Sequence, residues 1–326
     1  MILYERHPIF FGEILNFFQL EKVLHILVTG QYSEFLKSEG IVALVYPFVP
    51  VLLAVEFFVG CFRKAPILKA YQLGFFVYIF NRFLGRYLGL SVLVFLYTNF
   101  GHYSILKTEL TWYWFVYGYV VWEFSHFIYH YSCHKVRILW CLHSTHHSAE
   151  HMNLSVNYTH FILEAPYADA IRGGICLIAG LRPEILFLIM VIDGAYGGFI
   201  HIGENLIKDG RIGLNKVGFL GRIFLSPSDH RVHHARNPLY IDKNFCNLLS
   251  LWDRLFKTYQ SEDTKVPIDY VISRKPRGKF FDPYFGEFAF LYNDMASTNL
   301  IGDKLRYLFM PPGWSPAPHN KTQAIA

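Results

Sequence analysis

Residues 112–147 read WYWFVYGYVVWEFSHFIYHYSCHKVRILWCLHSTHH, an aromatic, apolar run that ends among spaced histidines. From Thr111 to about Tyr129 it is apolar and long enough to be read as a membrane-crossing helix with Trp and Tyr at its boundary. Such a helix delivers His130 and His134 to its end. His143, His146 and His147 follow after a short link, and His230, His233 and His234 repeat that second spacing. Intervals of three and four residues on helices put each group's imidazoles on one face, where they can chelate a metal ion without bending the backbone.

The chain holds 16 histidines, and 12 of them lie between His126 and His234. An even spread would place about five there, so the excess has a local cause. His7, His25, His102 and His319 stand apart and read as ordinary surface or core residues. The clustered rings would repel one another when protonated unless a cation held them neutral.

Composition bounds the setting. Hydrophobic residues make up 53% of the 326, aromatics 18% and charged residues only 17%, which points to a membrane protein rather than a soluble one. The net charge of +5 comes without a basic block, so a nucleic-acid partner is excluded. Cys61, Cys133, Cys141, Cys176 and Cys246 show no CxxC spacing and read as free thiols of a reducing compartment. Cys133, beside His134, reads as a small apolar residue rather than a soft metal ligand. No removable signal peptide is expected.

The apolar runs set a topology. Residues 1–40 read as an amphipathic interfacial segment. Ile41 to Phe62 is expected to span the bilayer, and Arg63, Lys64 and Lys69 after it mark the cytoplasmic side. Leu73 to Phe80 is too short to cross, so it is placed at the interface. Phe83 to Tyr97 crosses outward, Asn99 to Thr108 forms a loop, and Thr111 to Tyr129 returns. Ala165 to Gly180 and Glu184 to Ile200 form a crossing or re-entrant hairpin turned at Leu181, Arg182 and Pro183. Residues 261–326 read as a C-terminal cytosolic tail ending Pro-rich at 311–318. The predicted fold is all-α: a polytopic membrane helical bundle whose cytosolic, histidine-rich cap holds a di-metal site.

Neutral imidazole suits iron, zinc and copper. The three groups hold eight histidines, more than the roughly six ligands one ion takes, so two ions are implied. A structural zinc site would be closed and cysteine-rich, whereas an all-histidine cluster can leave positions open for dioxygen and substrate, which favours iron.

HYSCH at 130–134, HSTHH at 143–147, FIHIGEN around His201 and HRVHHARNPLYIDKNF from His230, followed by LLSLWDRLFKTY, resemble the fatty acid hydroxylase and sterol desaturase superfamily of membrane non-haem di-iron enzymes. HRVHHARN, IDKNF, WDRLF and the late PPGWSP look most like its alkylglycerol monooxygenase branch. The resemblance is specific over roughly Trp114 to Tyr259, and 41–260 is expected to form the family's membrane domain. It implies nine ligands shared between two irons: His130, His134, His143, His146, His147, His201, His230, His233 and His234. It also implies dioxygen-dependent hydroxylation or desaturation of a lipid C–H. The electron donor would be external, since the chain has no ferredoxin-like cysteine run, and the branch suggests tetrahydrobiopterin.

Around the ligands, Glu150, Glu204, Asp229 and Asp242 are candidates to hold the rings' other nitrogens, Asp229 foremost. His126 is expected to line the pore or support a ligand, because the nine-residue link to His143 suits His134. His160 is an extra ligand or a core histidine. Two rival readings remain. A metal transporter would place its site near the bilayer midplane on broken helices, and a zinc hydrolase would show a motif such as HExxH, which the sequence lacks.

Overall fold

The computed structural model describes residues 25, 29, 48–62, 71, 72, 74, 76, 77, 81–203, 219–270 and 281–316. The N-terminal amphipathic segment apart from residues 25 and 29, the basic residues after Phe62, and Glu204 lie outside the described residues. Each apolar run read as a crossing is helical where described: α1 (Phe48–Phe62), α2 (Arg86–Phe100), α3 (Trp112–Lys135), α5 (Glu164–Ile178) and α6 (Pro183–Ile200), with the short α4 (Arg137–His143) after α3. Then come α7 (Pro227–His233), α8 (Leu251–Leu255), α9 (Asp282–Ala296) and α10 (Ile301–Phe309). Among the described residues the structure holds no strand, only an isolated antiparallel bridge between Phe224 and Leu249.

Of the described helices, α6 is the one both long and apolar enough to cross a membrane by length and composition. The 24-residue α3 is long enough, but its tyrosines, Glu123 and three histidines dilute its hydropathy. α3 packs on α5 and α6, and α5 packs on α2. Their shared core gathers Leu93, Tyr119, Trp122, Cys176, Ile185 and Ile189. Gly118 permits the close approach of α6, since a Cβ there would lie 3.1 Å from both Ile185 and Ile189.

The α5–α6 reversal falls at Gly180, whose φ of +83° favours glycine. The Gly180 carbonyl accepts the Thr108 hydroxyl at 2.8 Å, and Pro183 starts α6, where its missing N–H costs nothing. The turn expected at Leu181 to Pro183 therefore begins one residue earlier.

Two buried carboxylates tie loops to this frame. Glu123 accepts the backbone N–H groups of Asn247 (3.1 Å), Leu248 (2.7 Å) and Leu249 (3.1 Å). Glu56 on α1 accepts those of Leu154 (2.6 Å) and Gly203 (2.7 Å), and the Tyr71 hydroxyl at 2.6 Å. The segment read as a C-terminal tail contributes α9 and α10, which pack against each other and against α4. Arg137 of α4 pairs with Glu287 at 3.0 Å, and Cys141 lies against Leu291 and Tyr307. An amphipathic pattern in 282–309 was present in the sequence, but the proline-rich end obscured it.

Candidate metal centre

The nine histidines converge from five places in the chain. α3 ends on His130 and His134, α4 ends on His143, and a tight helical turn (His146–Ser148) carries His146 and His147. His201 closes α6, while α7 carries His230 and His233 and is followed by His234. α7 has only seven residues, and a reciprocal capping box secures its start: Ser226 accepts from the Asp229 N–H, and Asp229 accepts from the Ser226 N–H at 2.9 Å.

These side chains form two donor groups, in each of which the ligating atoms lie within 4.8 Å of one another. One holds His130, His134, His143, His147 and His233, the other His146, His201, His230 and His234. Each HxxHH run is thus divided. Its first and last histidines, four apart and about 40° apart around a helix, stay together, whereas the middle one, turned about 60° the other way, serves the opposite group. Reading each run as a single one-metal face is therefore corrected: each run bridges both groups.

The rings' outer nitrogens fix which atom faces inward. Nδ1 of His130 donates to the Phe245 carbonyl (2.8 Å), that of His146 to Val156 (3.0 Å), that of His201 to Gly197 (2.5 Å) and that of His233 to Lys243 (2.8 Å). A carbonyl cannot donate, so Nδ1 carries the proton and each neutral ring turns a bare Nε2 inward. Inward atoms then crowd: Nε2 to Nε2 is 3.2 Å for His146–His201 and 2.9 Å for His130–His143, the Nδ1 of His143 being taken up by the Glu164 carboxylate. Lone pairs facing each other at that separation repel unless a cation lies between them. His134 Nε2 is also buried without a partner. The donor set therefore fits metal ions, and all-imidazole coordination suits iron.

Burial keeps the rings in the ligating form. It lowers the pKa of His146, His147, His230, His233 and His234 well below the ordinary value, with neighbouring rings adding to the effect. His134 falls to about 4 and His201 to about 3, again chiefly through burial.

The supporting residues are only partly those expected. Asp242 approaches His134 Nδ1 at 3.5 Å and pairs with Lys135. Asp229, expected foremost among the supports, reaches no histidine: its carboxylate caps α7 and accepts the Tyr259 hydroxyl at 3.1 Å. Glu150 is exposed and likewise has no histidine partner. His160 stacks on His146 with centroids 4.3 Å apart but stands outside both donor groups, as does His126. Cys133 packs with Tyr129 and Ala168.

Glu164, at the start of α5, was missed. Its two oxygens take His143 Nδ1 at 2.6 Å and His160 Nδ1 at 2.8 Å, and the Tyr129 hydroxyl joins them. Burial pushes this carboxyl up, but His160 and His143 outweigh it and hold it below the usual range.

Residues 115–258, the segment that carries most of this centre, match the fatty acid hydroxylase family, and that segment belongs to it. The chain is similar to alkylglycerol monooxygenase of Danio rerio, 30% identical over 233 residues, covering 71% of this chain and 49% of the relative. The human alkylglycerol monooxygenase is 27% identical over 234 residues, with the same coverage. Ornithine lipid hydroxylase OlsE of Rhizobium tropici is 27% identical over 196 residues, covering 60% of this chain and 55% of the relative. The chain thus spans about half the length of the alkylglycerol monooxygenases it matches. No solved structure matches it.

Proposed function

We propose that the chain is a multi-pass membrane oxygenase that hydroxylates or desaturates an unactivated C–H of a lipid, such as an alkylglycerol, a fatty acyl chain or a sterol. Dioxygen and an external reductant are its co-substrates. The observation that carries this reading is the meeting of five and four buried imidazoles at the ends of apolar helices. Two irons held there would supply reductive activation of dioxygen. His130, His134, His143, His147 and His233 would hold one, and His146, His201, His230 and His234 the other. Names of relatives support a lipid substrate, and tetrahydrobiopterin is the donor we favour on the alkylglycerol monooxygenase likeness.

The chain's own groups prepare the site. Backbone carbonyls at Val156, Gly197, Lys243 and Phe245 orient the rings, and burial keeps them neutral and water away. The basic residues after Phe62 in the sequence support a cytoplasmic position for the centre. On this reading residues 41–260 are the catalytic membrane domain.

The purified protein is expected to hold about two irons per chain, on the argument that nine imidazoles exceed one ion's coordination. His146→Ala and His233→Ala should each remove iron, one from either group, and abolish lipid oxidation. Metal analysis together with oxygen consumption on a lipid panel checks this. Full activity with zinc, or metal transport into vesicles without oxygen uptake, would overturn the oxygenase.

A further inference from the structure

Trp122, His126, His130 and His134 follow one another at four-residue intervals and share a face of α3. Trp122 and His130 are 2% and 4% exposed, whereas His126 between them is only partly buried. His126 thus stands one turn before His130, the first metal ligand, on this face. Nδ1 of His126 is itself buried and meets no partner in the protein, and the ring belongs to neither donor group. It lies edge-on to His130, with centroids 5.5 Å apart, and to Tyr129 at 5.7 Å.

The neighbouring helix α5 supplies a charge at the same place. The Arg172 guanidinium lies 4.8 Å over the Trp122 ring and 5.3 Å over the Tyr129 ring. Asp169 holds it at 3.0 Å and the Ala168 carbonyl at 3.3 Å. An anchored cation and an unpaired imidazole nitrogen thus share one aromatic wall beside the metal donors. A buried polar nitrogen without a partner destabilises a fold, so its retention there calls for a partner the chain does not supply.

We propose that His126, backed by Arg172, is the polar contact for the lipid substrate. Its Nδ1 hydrogen-bonds a hydroxyl, ether or ester oxygen close to the carbon that the metal centre oxidises, selecting an oxygen-bearing lipid over a bare hydrocarbon chain. This rests on the oxygenase reading for what happens next, but not for binding itself.

Binding of two radiolabelled probes to the full chain in detergent tests it: a long-chain glyceryl ether and a straight alkane of equal length. The His126→Phe variant should keep the parent's iron content and its affinity for the alkane, while losing roughly three- to tenfold affinity for the ether, the loss of one hydrogen bond. His126→Asn, which restores a polar nitrogen, should recover part of that loss. Equal losses for both probes, an unchanged ether affinity, loss of iron, or a parent that binds neither probe would each overturn the proposal. A parent that binds the ether in this His126-dependent way but does not oxidise it sinks the oxygenase and leaves the contact standing.

Discussion

Glu164 shows how much one buried carboxylate can organise. By taking the outer nitrogens of both His143 and His160, it fixes one ligand's tautomer and a neighbour's position together. Loss of such a support typically weakens metal affinity by about 10- to 100-fold. Glu164→Gln should therefore release iron to a competing chelator at correspondingly lower chelator concentration, while keeping its helical content by circular dichroism; iron retention equal to the parent's would refute the role. No local signal marks this residue, because it lies 21 positions after His143, beyond an irregular loop. Asp229 stood next to three histidines and looked better, yet SPSD at 226–229 is also a capping signature, and the helix start takes the carboxylate. Proximity in sequence indicated the ligands well and their supports poorly, since a ligand must share an element with its group and a support need not.

At the scale of elements, the loop 242–247 acts as a brace between α3 and α7. Asp242, the Lys243 carbonyl and the Phe245 carbonyl meet His134, His233 and His130 in turn. Asp242 and Asn244 adopt φ of +59° and +56°, a conformation Asp and Asn tolerate better than most residues. Asn244 pins the loop by donating to the Asp229 carbonyl (2.8 Å) and the Gln260 carbonyl (2.7 Å) and accepting the Gln260 N–H (2.8 Å). Asn244→Ala should cost roughly 2–4 kcal/mol from those bonds, and Asn244→Gly about 1 kcal/mol less because glycine relieves the left-handed backbone. Thermal melts of the two variants check the order, and a glycine variant no more stable than the alanine one would count against it. The helical spans and the HxxHH spacing were legible because period 3.6 ties sequence to geometry directly. The brace was visible only as a family motif, since its work lies in carbonyl directions that side-chain identity does not encode.

In the whole molecule, the two donor groups join α3, α4, α6 and α7, so bound metal is a cross-link between elements distant in sequence, and its removal should loosen all of them together. Stability after chelation should also depend on pH in a definite direction. Burial lowers the pKa of His134 to about 4 and of His201 to about 3, while an unfolded chain titrates histidine near about 6.5. Between those values the unfolded chain binds protons that the folded chain refuses. The histidine contribution to stability is therefore intact above about pH 6.5 and drains away as pH falls through about 4 toward 3. Bound iron would oppose the loss by favouring the folded state, at nitrogens that protons would otherwise take. Detergent-solubilised, chelated protein should melt at a distinctly lower temperature at about pH 5 than at about pH 7.5. The iron-loaded protein should melt higher than the chelated one at both pH values, by a margin that shrinks once acid begins to strip the metal. Identical melting of the chelated protein at the two pH values would mean that His134 and His201 are not held neutral by the fold, and the two donor groups could then not be the preformed metal site described above.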